Sequence, residues 1–155
     1  MMKGKIMKYV LDEGAFAPEY AHETDAGMDL RSPREVIIPC KTIKISGDRI
    51  YEVGGSAVIN TGVHVEIPHG CVGFFKSKSG LNVSHEVVSE GVIDEGYTGP
   101  LIVKLYNHGE HDYKIHKGDK ITQLVILGYN HVTLEEVDKL ESTERGNRGF
   151  GSTGR

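Results

Sequence analysis

Val63-His64-Val65-Glu66-Ile67, followed by Pro68, alternates apolar and polar side chains along its whole length. Successive side chains of an extended strand point to opposite faces. The run therefore reads as a strand with one buried and one wet face, ended where proline cannot donate to a ladder. Similar runs recur on both sides of it. Upstream candidates are 8–11, 35–38, 42–45, 50–53 and 56–60; downstream they are 71–76, 86–89, 101–107, 112–115, 123–129 and 133–137. Ser46-Gly47-Asp48 between two of these reads as a hairpin turn. Only Ser79–His85 has room for one short helix. Many short strands at close spacing predict an all-β domain, either a sandwich, a jelly roll or a small barrel.

The 155 residues suit one domain with a single core. Eighteen basic side chains against 22 acidic ones give a formal charge of −4, which argues against a general nucleic-acid or membrane surface. A small anionic ligand remains compatible, because a phosphate site needs only local cations and backbone N–H groups. Cys40 and Cys71 make no disulfide framework and read as core fillers. With no signal-like apolar core and no membrane-length apolar run, a cytoplasmic location is the expectation.

Several segments carry chemistry, each with a plainer reading beside it. Ser77-Lys78-Ser79-Gly80-Leu81 brings a hydroxyl, an ammonium and a helix start together, as an anion site would; it is also an ordinary polar turn. Asp25-Ala26-Gly27-Met28-Asp29-Leu30 reads as a glycine-containing turn with two carboxylates four residues apart. Beside a triphosphate such carboxylates need a hard cation between, and Mg²⁺ suits oxygen ligands and retained water. Gly91-Val92-Ile93-Asp94-Glu95-Gly96-Tyr97-Thr98-Gly99-Pro100 reads as a tight hairpin or loop with a carboxylate near its tip. Gln123 interrupts an apolar strand, as a satisfied core amide or as a group lining a site. His108, His111 and His116 lack a completing cysteine or carboxylate set and read as a solvated connection, not a zinc site.

From Glu144 onward the composition turns to Gly, Ser, Thr and Arg with one aromatic, Phe150. Composition alone describes a disordered tail. The same residues are what a phosphate-gripping flap requires: glycines admit close backbone approach, arginine neutralises charge, and an aromatic ring stacks on a base.

In order, Ala26–Leu30, Lys78–Leu81, Gly91–Gly99, Gly118–Gln123 and Arg145–Gly154 resemble the five motifs of the trimeric dUTPases. The resemblance runs from about Asp25 to the end, and its third and fifth motifs are the most specific. It implies a jelly-roll-like β-barrel with one short helix, a barrel domain over 1–143 and a mobile C-terminal flap over 144–155. It further implies a homotrimer whose three sites each draw the phosphate motifs from one chain, the uracil hairpin from a second and the flap from a third. The implied reaction is hydrolysis of dUTP to dUMP and pyrophosphate with Mg²⁺, which supplies dUMP for thymidylate synthesis and keeps uracil out of DNA.

By the same resemblance, Asp94 is the carboxylate that orients and deprotonates the attacking water, and Gln123 touches the α-phosphate and that water. Asp29 is the aspartate near the metal, held to it through water. Lys78, Ser79 and Gly80 contact the phosphates, and Tyr97 stacks under deoxyribose, leaving no room for a 2′-hydroxyl. Gly91 and Ile93 lie where hairpin backbone reads the uracil edge. Arg145, Phe150, Gly151, Ser152 and Thr153 belong to the flap. Two residues depart from the family pattern: Lys78 stands where arginine is usual, keeping charge but losing the bidentate fork, and Arg148 stands where glycine is usual. The stretch Cys40–Val53 is longer than the usual connection and reads as an added hairpin.

Two other functions fit parts of this pattern. Deamination of dCTP belongs to the same superfamily, but the Tyr97 hairpin and complete flap disfavour it. A nucleotide-responsive regulatory protein is the other; some phage-borne relatives bind repressors, so a phage source would add a regulatory partner to the expectations.

Overall fold

The computed structural model describes residues 5–148. In chain order the elements are β1 (Lys8–Leu11), β2 (Gly27–Arg31), β3 (Val36–Ile38), β4 (Thr42–Ser46), β5 (Arg49–Val53), β6 (Gly55–Glu66), β7 (Cys71–Lys76), α1 (Ser79–His85), β8 (Val87–Ile93), β9 (Pro100–Asn107), β10 (Tyr113–Ile115) and β11 (Lys120–Gly128). Seven strands form one curled antiparallel sheet in the order β1-β6-β9-β8-β7-β11-β2, and β10-β3 and β4-β5 form two-stranded sheets. The domain is all-β with one helix, as the strand-length patterning predicts.

Alternation does what the sequence implies. Along β9, Leu101, Val103, Leu105 and Asn107 are buried while Ile102, Lys104 and Tyr106 face out. Those residues join Leu30, Ile38, Ile59, Val63, Ile115, Ile121 and Leu124 in one core, each fully buried aliphatic chain contributing roughly 1.5–3 kcal/mol. Asn107 is a polar residue within that core and is fully partnered. Its Nδ2 donates to Ile38 O (3.1 Å) and His111 O (2.9 Å), and its Oδ1 accepts from Gly109 N (2.9 Å). It thereby ties β9 to β3 and to the loop carrying His108 and His111. Among the described residues no group of three or more His, Cys, Asp or Glu side chains is placed to hold a metal ion.

Four expectations change. The runs 56–60 and 63–67 are one strand, β6, kinked at Gly62 (φ 67°), where pairing with β9 shifts register and pairing with β1 begins. The segment expected as a turn, Asp25–Leu30, enters β2, because Met28 and Leu30 are core residues and β11 offers it a full partner. The strand expected over 133–137 is absent: residues 129–148 have no regular structure and are exposed, including Val132, Leu134, Val137 and Leu140. Among the described residues that segment has no partner strand, and an isolated extended segment gains no ladder hydrogen bonds. Finally, Cys71 is buried as expected of a core filler, but Cys40 is only half-buried.

The Cys40–Val53 stretch does form a hairpin, β4–β5, turned by Gly47 (φ 61°) and Asp48. It exposes Ile43, Ile45 and Ile50. Among the described residues no helix is long and apolar enough to cross a membrane.

Candidate active site

The sheet order places β11 between β2 and β7, so one cross-strand row reads Asp29, Gln123, Lys76. Two residues after Lys76 the chain leaves β7 through Lys78, the N-cap of α1. Three separate sequence motifs thus meet at one end of β7. Asp29 is 1% exposed. Its Oδ1 accepts a hydrogen bond from Lys78 Nζ at 2.6 Å, and Gln123 Nε2 approaches the same oxygen at 3.5 Å. Lys120 Nζ lies 2.6 Å from Oδ2, an ion pair set off the line of a well-directed hydrogen bond.

Burial pushes the Asp29 carboxyl pKa up, but the paired ammonium groups of Lys120 and Lys78 outweigh it and hold the group below its ordinary range. Gly27 makes this arrangement fit. A Cβ there would meet Gln123 Cβ at 3.0 Å and crowd the amide out of place. Ser79 and Gly80 follow Lys78 on the first turn of α1, whose N-cap carries no side-chain hydrogen bond.

The second group of residues sits elsewhere. β8 pairs with β7 from Glu90 to Ile93, but with β9 only at Val87–Ser89. Beyond Ser89 the two strands diverge, so the segment expected as a tight hairpin or loop is a splayed loop. Gly91 and Ile93 lie in the splayed part, and Gly91 admits the Phe75 ring to within 2.8 Å of where a Cβ would be. At the tip, Tyr97 OH donates to Pro100 O (2.9 Å), and its ring lies over Gly99, where a Cβ would come within 2.6 Å of the phenol oxygen.

Asp94 is exposed in a cleft of about 440 Å³ lined also by Val72, Glu95, Tyr129 and His131. Its turn is pinned on both flanks. Glu95 accepts from Gly70 N (2.9 Å) and pairs with His69 Nδ1 (2.7 Å), while His64 Nδ1 donates to Thr98 O (2.9 Å). His69 and the Gly70 amide hold the Glu95 carboxyl below its ordinary range. The Thr98 carbonyl raises the His64 pKa, with Asp12 at 3.3 Å adding to the effect.

These two groups do not meet within one chain. Asp94 follows Ile93, which pairs with Gly73, and shares its cleft with Val72; Asp29 and Gln123 are level with Lys76. Four residues of β7 separate the two levels, roughly 13 Å at 3.3 Å per residue. The flap residues Arg145–Arg148 are exposed and hydrogen-bond locally, Arg148 N donating to Arg145 O at 3.2 Å and Gly146 N to Thr143 O at 3.0 Å. Phe150, Gly151, Ser152 and Thr153 lie outside the described residues.

Sequence reasoning missed Lys120, Glu95, His64 and His69 as members of these groups. Lys120 lies inside the Gly118–Gln123 motif, but a spacing of three from Gln123 puts the two on opposite faces of a regular strand, and only the register shift between Lys120 and Thr122 brings it to Asp29. The others act through contacts across 26 to 34 residues, which a linear pattern does not display.

Comparison with known proteins agrees with the motif order. A family profile described as dUTPase matches residues 14–154. The deoxyuridine 5′-triphosphate nucleotidohydrolase of Clostridium acetobutylicum is 41% identical, over 99% of this chain and 98% of that protein. Its counterpart in Gloeothece citriformis is 37% identical over 99% and 97%. Among solved structures, the Staphylococcus bacteriophage 80alpha dUTPase with dUPNHPP superimposes with a TM-score of 0.82 at 30% identity, covering 98% of this chain and all of that one. A mutant dUTPase from phage phi11 of S. aureus, described as revealing the coordination of a structural Mg(II) ion, gives 0.74 at 30% identity over 89% of this chain and all of that one. By profile, by identity across nearly the full length and by fold, the chain belongs to the dUTPase family.

Proposed function

We propose that the protein hydrolyses dUTP to dUMP and pyrophosphate in a site completed by neighbouring copies of the chain. The observation that carries the shared-site reading is the separation along β7. The carboxylate suited to activate water, Asp94, and the cationic cluster suited to phosphate, at Lys78, stand at opposite ends of that strand. Juxtaposing them requires a second chain. The exposed segment 129–148, with its unpartnered Val132, Leu134, Val137 and Leu140, supplies apolar surface for such an assembly, and a homotrimer is the assembly the motif pattern implies.

In this reading Asp94 takes a proton from water as the water oxygen bonds to the α-phosphorus. The bond from that phosphorus to the bridging oxygen breaks, and pyrophosphate leaves. General-base help is worth roughly 10²–10⁴-fold, so positioning and charge must supply the remainder. Lys78, Ser79, Gly80 and Gln123 of one chain and Arg145, Phe150, Gly151, Ser152 and Thr153 of another are assigned to that task. The diverging β8 and β9 leave backbone groups near Gly91 and Ile93 free to read a flat base edge, and Tyr97, fixed by Pro100, is suited to support the sugar. A rigid backbone wall discriminates better than a soft pocket, where one methyl is worth only about 1–3 kcal/mol.

Mg²⁺ enters as a companion of the triphosphate, where its chemistry is to offset phosphate charge. A hard cation held by phosphate oxygens and water needs no protein cage. The described residues do not fit a protein-held Mg²⁺: both oxygens of Asp29 face ammonium groups. The water-mediated metal role expected for Asp29 does not fit that geometry, and no step here passes through it. A cytoplasmic location and a role in supplying dUMP while limiting uracil in DNA complete the reading. For a regulatory protein partner, the surface on offer is the β4–β5 hairpin with its exposed isoleucines.

The test is pyrophosphate release from dUTP, dTTP, UTP and dCTP in parallel. Turnover of dUTP far above the other three is expected. Equal turnover of dTTP, or ammonia release from dCTP, would overturn the assignment.

A further inference from the structure

Asp29 belongs to a longer chain of charges. Arg31 pairs with Glu19, Glu19 lies 3.8 Å from Lys120, Lys120 pairs with Asp29, and Asp29 pairs with Lys78. The backbone builds this row: Glu19 and Asp29 exchange both amide hydrogen bonds, at 2.8 and 3.3 Å, so their side chains are held beside each other. Arg31 also donates to Gly118 O at 2.7 Å, anchoring the far end. The signs run plus, minus, plus, minus, plus, which leaves one surplus positive charge. The end of the row is Lys78, at the start of α1.

A carboxylate that is 1% exposed must stay paired, because an uncompensated buried charge is strongly unfavourable. If Lys78 were its sole partner, any anion recruiting that ammonium would strand Asp29. Lys120 removes this conflict. It sits on the opposite oxygen, with Glu19 behind it, and keeps Asp29 compensated when Lys78 turns away.

We propose that Lys120 is a positioning residue for nucleotide binding: it holds Asp29 so that Lys78 can exchange that carboxylate for the substrate's phosphates. Lysine suits the exchange better than arginine, since a single-point ammonium on a flexible stem swings between partners while a guanidinium fork binds a carboxylate at two points. The inference rests on the reading of Lys78 as a phosphate contact.

Steady-state kinetics on the full-length enzyme with dUTP test both levels. Lys78→Met should raise KM at least roughly tenfold; an unchanged KM would remove the phosphate role and this inference with it. Lys120→Met should also raise KM about tenfold with kcat within about threefold, and Lys120→Arg should restore most of it. With Asp29→Asn as background, where no carboxylate competes for Lys78, Lys120→Met should add no further KM increase. A wild-type KM in Lys120→Met would overturn the inference while leaving the role of Lys78 intact. An equal KM penalty in the Asp29→Asn background would also overturn it, because Lys120 would then act on the nucleotide directly. The Asp29→Asn pair also guards against misfolding, since it leaves no buried charge unpaired.

Discussion

Replacing Asp94 by asparagine separates catalysis from structure more cleanly than any other single change. The side chain is exposed and accepts no hydrogen bond from the described residues; only its backbone carbonyl is engaged, by Tyr97 N at 3.1 Å. Asparagine has nearly the same shape, so unfolding free energy should move by no more than about 0.5 kcal/mol. Among the described residues no other carboxylate in the cleft is free to replace the lost base. Glu95, the other carboxylate lining it, is engaged by His69 and by the Gly70 amide. The whole general-base contribution should therefore disappear, lowering kcat by roughly 10²–10⁴-fold. At about 1.36 kcal/mol per decade, that raises the barrier by about 2.7–5.5 kcal/mol. Pyrophosphate release at saturating dUTP gives kcat, a thermal melt gives stability, and calorimetry with a non-hydrolysable dUTP analogue gives affinity. The reasoning is refuted by a kcat within about tenfold of wild type, or by a loss of activity matched by a loss of folding.

Three further outcomes follow from other parts of the fold. Gly55→Ala should destabilise the domain by at least about 2 kcal/mol, read by denaturant melt, because its Cβ would fall 1.6 Å from Pro39 O and both backbones are paired in sheets or loops around the core. Asp29 has a folded pKa below its ordinary 3.8, so its stabilisation is present above about that pH and fades as pH falls through the lower folded value. Melting temperature recorded from about pH 6 down to about 2.5 should drop more steeply for wild type than for Asp29→Asn at the acid end. Tyr97→Ala should narrow the preference for dUTP over UTP by roughly 10-fold or more, measured as the ratio of kcat/KM values, because the ring that occupies space beside the sugar is gone.

The sequence made strands visible wherever one face is wet. β7 lies on the run expected for it and β9 starts one residue before its own, and the turn at Gly47 and the helix Ser79–His85 were legible from local chemistry alone. β2 was not. Its run Gly27–Arg31 is buried on both faces apart from Arg31, so alternation vanishes, and two aspartates and a glycine imitate a turn. Asp29 in particular looks like a surface carboxylate until the two lysines that neutralise it are seen, one 49 residues away and the other 91. The motifs were legible as a set, and the family resemblance implied their division between chains; the residues alone did not, since the separation along β7 follows from strand order in the sheet. Segment 133–137 has a strand's composition but pairs with no strand among the described residues, so composition alone misled there.

Subunit mixing tests the central claim most directly. One variant carries Asp94→Asn and an intact tail; the other ends at Glu144 and retains Asp94. Each alone should be nearly inactive. Unfolded together at equal amounts and refolded, they should regain about one quarter of wild-type pyrophosphate release per chain, because random assembly gives that share of sites an intact carboxylate from one chain and an intact flap from another. Activity no greater than the sum of the two separate preparations, in a mixture shown to contain hybrid oligomers, would contradict a site shared between chains.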